Sequence, residues 1–218
     1  MPLGGSMHLV MFDIDGTLIQ SCKLDAMCFS DTVNSILGIE IKNNISDYTN
    51  ITVSGILDEF IAQVGLMNRR DEIHHRVKDE FARRVNLELK VTPVREVEGA
   101  ISFINQLKGR QDVEVSIATG GWEDSAQLKL KSAGFDISGI AFASASDHFQ
   151  RTKIMQVSES RCKCKNFISK TYFGDGVWDK KACIDLAYNF VLVGERLEHS
   201  KQIDNFLIQS QVMSHIGI

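Results

Sequence analysis

His8-Leu9-Val10-Met11-Phe12-Asp13-Ile14-Asp15-Gly16-Thr17-Leu18 is the stretch from which the rest of the chain is read. His8–Phe12 is a short, mostly apolar run, which suits a strand covered on both faces. It ends abruptly in two carboxylates two residues apart, followed by a glycine that lets the backbone turn. While the chain is still extended, Asp13 and Asp15 point the same way. A carboxylate can act as a covalent nucleophile. A second carboxyl group beside it can protonate a leaving oxygen and later deprotonate an attacking water. Asp13 is therefore assigned as nucleophile and Asp15 as acid/base. Taken alone, such a segment is more simply a solvated turn at a strand end, so the assignment depends on what else the chain brings to it.

Outward from this strand, short β-type runs recur at Val113–Ala118 and at residues 139–143, 171–173 and 190–193. Between them, residues 94–107, 122–133, 152–159 and 177–187 carry apolar side chains at helical spacing, as in Val97, Ile101, Ile104 and Leu107. Strands alternating with crossover helices predict a doubly wound, parallel α/β sheet. Residues 20–90 break the rhythm. They show helical patterning at 24–37, 52–64 and 69–89 and no convincing strand. A segment of that length is too long for a plain loop in a compact domain. It reads as an all-helical insertion that returns to the core near Pro93.

Three further motifs fall at predicted strand ends or helix starts, the edge at which open α/β sheets bind ligands. Ile117-Ala118-Thr119-Gly120-Gly121 closes the second strand. A hydroxyl and amides at a helix start suit a phosphoryl oxygen, so Thr119 and Gly120 are candidates for holding one. Lys153, in Arg151-Thr152-Lys153-Ile154, would offset the repulsion among carboxylates and bind phosphate. Arg151 is a weaker candidate for the same role. Phe173-Gly174-Asp175-Gly176-Val177-Trp178-Asp179 follows the fourth strand. Asp175 and Asp179 are four residues apart and share one face of a helical turn. Paired hard oxygens of this kind suit Mg²⁺. Each motif alone has a plain alternative as an N-cap, a surface lysine or a dipole-facing aspartate.

Bulk properties narrow the function classes. The 218 residues suit one domain carrying an insertion, with 44% hydrophobic and 24% charged residues and a formal net charge of -4. A mildly acidic chain has no general attraction to nucleic acid or to anionic membranes, and no apolar run approaches the ~20 residues of a membrane span. Five cysteines and no recognisable signal segment point to reduced thiols and a cytoplasmic setting. Cys162, Cys164 and Cys183 match no standard zinc spacing. His74 and His75 point apart on a helix and would not chelate together. Glycosylation-type triplets begin at Asn44 and Asn50 and carry no meaning without secretion.

In this order, the four motifs resemble the haloacid dehalogenase superfamily, over residues 7–18 and about 91–194. The resemblance implies a Rossmann-like core (residues 1–19 and 91–218) whose five strands have the Asp13 strand in the middle and the strand before Asp175 beside it. Residues 20–90 would be a helical cap resembling that of the phosphoglycolate phosphatase and β-phosphoglucomutase branch. It further implies Mg²⁺ held by Asp13, the Asp15 carbonyl and Asp175, with Asp179 acting at the metal or its waters. An acid at the Asp15 position favours phosphoryl transfer over carbon–halogen hydrolysis. The expected activity is hydrolysis of a small phosphorylated metabolite through an aspartyl-phosphate. A phosphomutase or a non-catalytic phosphate-binding module remain the alternatives. Within the cap, Tyr48 and Asn50 are candidates for contacting the leaving group.

Overall fold

The computed structural model describes residues 7–41 and 47–218, so the triplet at Asn44 lies outside the described residues. Six strands form one parallel sheet: β1 (His8–Phe12), β2 (Val113–Ala118), β3 (Ala141–Ala143), β4 (Ser169–Gly174), β5 (Asn189–Val193) and β6 (Gln202–Ile203). Their order is β3-β2-β1-β4-β5-β6. The Asp13 strand is central among the first five and β4 lies beside it, as the resemblance implies. The sixth strand is an addition. It is two residues long and pairs Val193 with Ile203 at the sheet edge, too short to leave a periodic signal.

The described helices are α1 (Cys22–Leu37), α2 (Val53–Gln63), α3 (Arg70–Val91), α4 (Ala100–Lys108), α5 (Glu123–Ser132), α6 (Arg151–Arg161), α7 (Val177–Leu186) and α8 (Gln209–Ile216). Each of α4 to α7 joins two successive strands of the parallel sheet or leads into one, which gives a doubly wound α/β architecture. Between β1 and β2, helices α1 to α3 precede α4. They bury their own apolar stripe, with Ile73, Val77, Phe81 and Val85 of α3 recurring every four residues.

Register is what builds the site. Phe12 pairs with Ile117 on one side and Phe173 on the other, and the Asp13 amide donates to the Phe173 carbonyl at 2.9 Å. The last residues of β1, β2 and β4 thus reach the same rim together. Below them an aromatic cluster locks the strands: Phe12 stacks on Phe173 at 4.9 Å, and Phe103 of α4 stacks on Phe206 at 5.4 Å. Such pairs add about 0.5–1.5 kcal/mol each beyond the area they bury. Among the described residues no helix is long and apolar enough to cross a membrane.

Candidate functional site

A cavity of about 550 Å³ opens at this rim. The core lines it with Asp13, Asp15, Thr119, Gly120, Arg151 and Asp175. The α1–α2 side contributes Asp25, Phe29 and Ile56, among others.

Asp13 follows β1 directly and its side chain is 5% exposed. Carboxylate oxygens of Asp13, Asp175 and Asp179 lie within 4.8 Å of one another. Burial pushes the Asp13 carboxyl well above the usual carboxylate range. Arg151 pulls it back, while Asp179, Asp175 and Asp15 push it further up. Asp175 is raised to about 7 by burial and the charge of Asp179, against the pull of Arg196 and Arg151. Three crowded acids in a low-dielectric rim cannot all ionise easily without a cation between them.

That need is a direct test of the expected magnesium. The donor set is three hard carboxylate oxygens, and Asp13 Oδ1 and Asp179 Oδ1 are buried without a directed hydrogen bond. Arg151 Nη1 is 2.8 Å from Asp179 Oδ1 and 3.6 Å from Asp13 Oδ1, close in charge but not aligned to satisfy either oxygen. The residues therefore fit a small divalent cation of oxygen preference.

Gly16 makes the crowding possible. Its φ is +83°, and a Cβ built there would stand 2.1 Å from Asp175 Oδ2. Only glycine turns the chain here and leaves space for the second carboxylate. At α7, Asp179 Oδ2 accepts the Gly176 amide at 3.1 Å, which fixes one oxygen and leaves the other toward Arg151.

Thr119 stands at the end of β2, and its hydroxyl accepts the Gly121 amide at 3.1 Å. That leaves the hydroxyl proton for another acceptor. The Gly120 carbonyl is taken by the Val53 amide at 2.9 Å, tying this turn to α2.

The expected role of Lys153 is corrected. Lys153 is exposed and its Nζ donates to Gln156 at 3.1 Å, outside the cavity wall. Arg151 occupies the place instead. Two residues apart on a helix are about 200° apart around its axis, so the two cations cannot face the same way. The signal was present: Ile154, Met155 and Ser158 are the buried side of α6, and Arg151 precedes them by three, four and seven residues, on the same stripe. Burial works against its charge, but Asp179 and Asp13 outweigh that and hold the guanidinium firmly protonated.

Tyr48 and Asn50 are also placed elsewhere. Tyr48 is buried against Phe60, ring edge to face at 5.5 Å, and neither residue lines the cavity. The segment immediately after them, residues 51–53, does so instead.

Sequence reading missed a buried ion triad. Lys129 of α5 is fully buried, 2.5 Å from Asp15 Oδ1 and 2.6 Å from Asp25 Oδ1 of α1. The Ser21 hydroxyl donates to the same Asp15 oxygen. Burial opposes the lysine's charge, and the two carboxylates more than restore it. Arg196, in the loop after β5, lies 2.9 Å from Asp175 Oδ2 and was likewise unread, since nothing periodic marks a loop arginine.

The cap is fastened to the core beside this site. Trp122 Nε1 donates to Ser54 Oγ at 2.8 Å, and Ser54 Oγ donates to the Ala145 carbonyl at 2.9 Å. The Trp122 ring packs on Phe29 of α1 and Phe81 of α3.

Solved structures share this architecture. A β-phosphoglucomutase from Clostridium difficile superposes with a TM-score of 0.70 at 13% identity, over 97% of this chain and 97% of that one. CbbY from Rhodobacter sphaeroides, solved in complex with phosphate, gives 0.69 at 13% identity, over 97% and 100%. A hydrolase from Pseudomonas syringae gives 0.65 at 18% identity, over 84% and 83%. At such identities the likeness is one of fold. No curated protein matches the sequence. The family model described as haloacid dehalogenase-like hydrolase matches residues 10–193, a span running from inside β1 to the end of β5 and including all four motifs, and by that match the chain belongs to the haloacid dehalogenase-like hydrolases.

Proposed function

We propose that the protein is a Mg²⁺-dependent phosphatase that hydrolyses a small phosphomonoester through a phosphoryl group carried on Asp13. The observation that carries this reading is the position of Asp13. It sits at a sheet rim with two more carboxylates within 4.8 Å and a buried guanidinium 3.6 Å away, and it faces a cavity that Asp15 also lines. Carboxylates gathered this tightly would repel a phosphate dianion unless cations are gathered with them.

Asp13, Asp175 and Asp179, with the Asp15 carbonyl, would hold the ion. When bound, Mg²⁺ supplies positive charge that offsets both the carboxylates and the phosphate. Arg151 favours the ionised form of Asp13 against burial and the neighbouring carboxylates. Thr119 donates its hydroxyl proton to a phosphoryl oxygen, next to the Gly120 backbone. The ionised Asp13 oxygen attacks phosphorus while the ester oxygen departs and takes a proton from Asp15. Asp15 then removes a proton from the water that displaces Asp13 from phosphorus, which regenerates both carboxyl groups and yields inorganic phosphate. Ser21 and Lys129 hold one oxygen of Asp15 and thereby orient the other.

The test is release of phosphate from p-nitrophenyl phosphate with and without a chelator. Turnover should require Mg²⁺. Asp13→Asn should lower kcat by about 10³-fold or more with the melting temperature retained. Turnover of that variant near the wild-type rate would remove the covalent role.

A further inference from the structure

The wall of the cavity is made of two unlike parts. The core supplies Asp13, Asp15, Asp175, two arginines and Thr119, whereas the cap supplies Asp25 together with the apolar Ala26 and Phe29 from α1 and Val53 and Ile56 from α2. Trp178, in the first turn of α7, adds a half-buried indole to the same wall.

Among the described residues, each polar group that the cap brings to the cavity already has a partner. Asp25 is 2.6 Å from Lys129. Thr52 Oγ1 donates to the Phe149 carbonyl at 2.6 Å and accepts the Gly55 amide at 3.0 Å. The Ile51 carbonyl accepts from Arg151 at 3.3 Å, and the Val53 amide donates to Gly120 at 2.9 Å. Cys22 Sγ donates to Asp175 Oδ2 at 3.9 Å. The remaining cation on the wall, Arg196, belongs to the carboxylate cluster through Asp175.

A sugar hydroxyl or a second acidic group lying against Phe29, Val53 and Ile56 would be taken from water and given no partner there, which disfavours it strongly. An apolar group meets no such obstacle and gains by burial. Resting on the phosphatase reading above, we propose that the substrate is a phosphomonoester whose leaving group is a small apolar alcohol, without a second anion or a polyol chain. Phe29, Val53 and Ile56 are the specificity wall.

Benzyl phosphate and glycerol 1-phosphate test this directly, because their alcohols are of similar acidity and intrinsic reactivity does not decide between them. With the Mg²⁺-loaded full chain, kcat/KM should favour benzyl phosphate by about tenfold or more. Quenching of tryptophan fluorescence should report tighter binding of benzylphosphonate than of phosphonoacetate. Ala26→Arg, on the exposed side of α1, places a cation on the wall and should shift the ratio of benzyl phosphate to phosphoglycolate turnover toward the latter by about tenfold. Equal or better use of glycerol 1-phosphate, or tighter binding of phosphonoacetate, overturns this inference while leaving the phosphatase reading intact. Release of phosphate from neither ester nor from p-nitrophenyl phosphate overturns both.

Discussion

Lys129 Nζ lies 2.5 Å from Oδ1 of Asp15, a residue of the cavity wall, and the lysine itself is fully buried. Through its second contact with Asp25, it ties the loop after β1 to the first cap helix. A buried cation of this kind is held by geometry, and removing it leaves two carboxylates facing each other without compensation.

Lys129→Met should therefore destabilise the protein by about 3–5 kcal/mol, with a definite pH dependence. Burial and the charge of Asp15 raise Asp25 to about 6, and Lys129 opposes that rise. A carboxyl raised in the folded state contributes stability that is present below about pH 4 and is lost as pH rises through about 6. Without the lysine the folded value climbs further, so the deficit grows with pH. Denaturant unfolding of variant and wild type at pH 5 and pH 8 checks this; a deficit equal at both, or larger at pH 5, contradicts it.

Arg151 and Lys153 separate cleanly in the structure and should separate in activity. Arg151→Ala removes the guanidinium 3.6 Å from Asp13 and should lower kcat by about 10²–10³-fold. Lys153→Ala touches only an exposed contact with Gln156 and should leave kcat within about twofold. Steady-state kinetics on one aryl phosphate decides it, and the reverse ranking would refute the placement.

Arg151, read only as a weaker candidate, and the unread Lys129 and Asp25 have one thing in common. Arg151, Lys129 and Asp25 each lie on the buried stripe of their own helix, in phase with Ile154 and Met155, with Ala126 and Leu130, and with Phe29 and Val33. A charged residue in phase with a core stripe requires a partner of opposite sign, so the sequence did announce that these residues were paired. It could not say with what, because the partners lie 104 and 114 positions away for Lys129. The strand ends were readable because an apolar run, a carboxylate and a glycine follow one another locally. The cap wall was not, because Phe29 and Ile56 read as ordinary core residues until the helices are placed over the rim.

Gly16→Ala should damage metal binding more than its size suggests. The new Cβ would fall 2.1 Å from Asp175 Oδ2 at a φ of +83°, so strain of about 1–3 kcal/mol is expected together with displacement of a proposed ligand. Titration calorimetry with Mg²⁺ should show weaker binding in the variant; unchanged affinity would mean that Asp175 does not hold the ion.

Mg²⁺ should also stabilise the wild-type fold, because it relieves repulsion among Asp13, Asp175 and Asp179. At a concentration about 100 times its dissociation constant the gain is about 2.7 kcal/mol. A thermal melt with and without chelator should show it, and Asp175→Ala should lose most of it. The same shift in the variant as in the wild type would place the ion elsewhere.

The transfer of the phosphoryl group to Asp13 is tested most directly by stereochemistry at phosphorus. A substrate made chiral with oxygen isotopes and sulfur, hydrolysed in isotopically labelled water, reports whether phosphorus is displaced once or twice. Two in-line displacements, first by Asp13 and then by water, predict net retention of configuration. Net inversion would mean that water attacks the ester directly and that no phosphoryl group rests on Asp13.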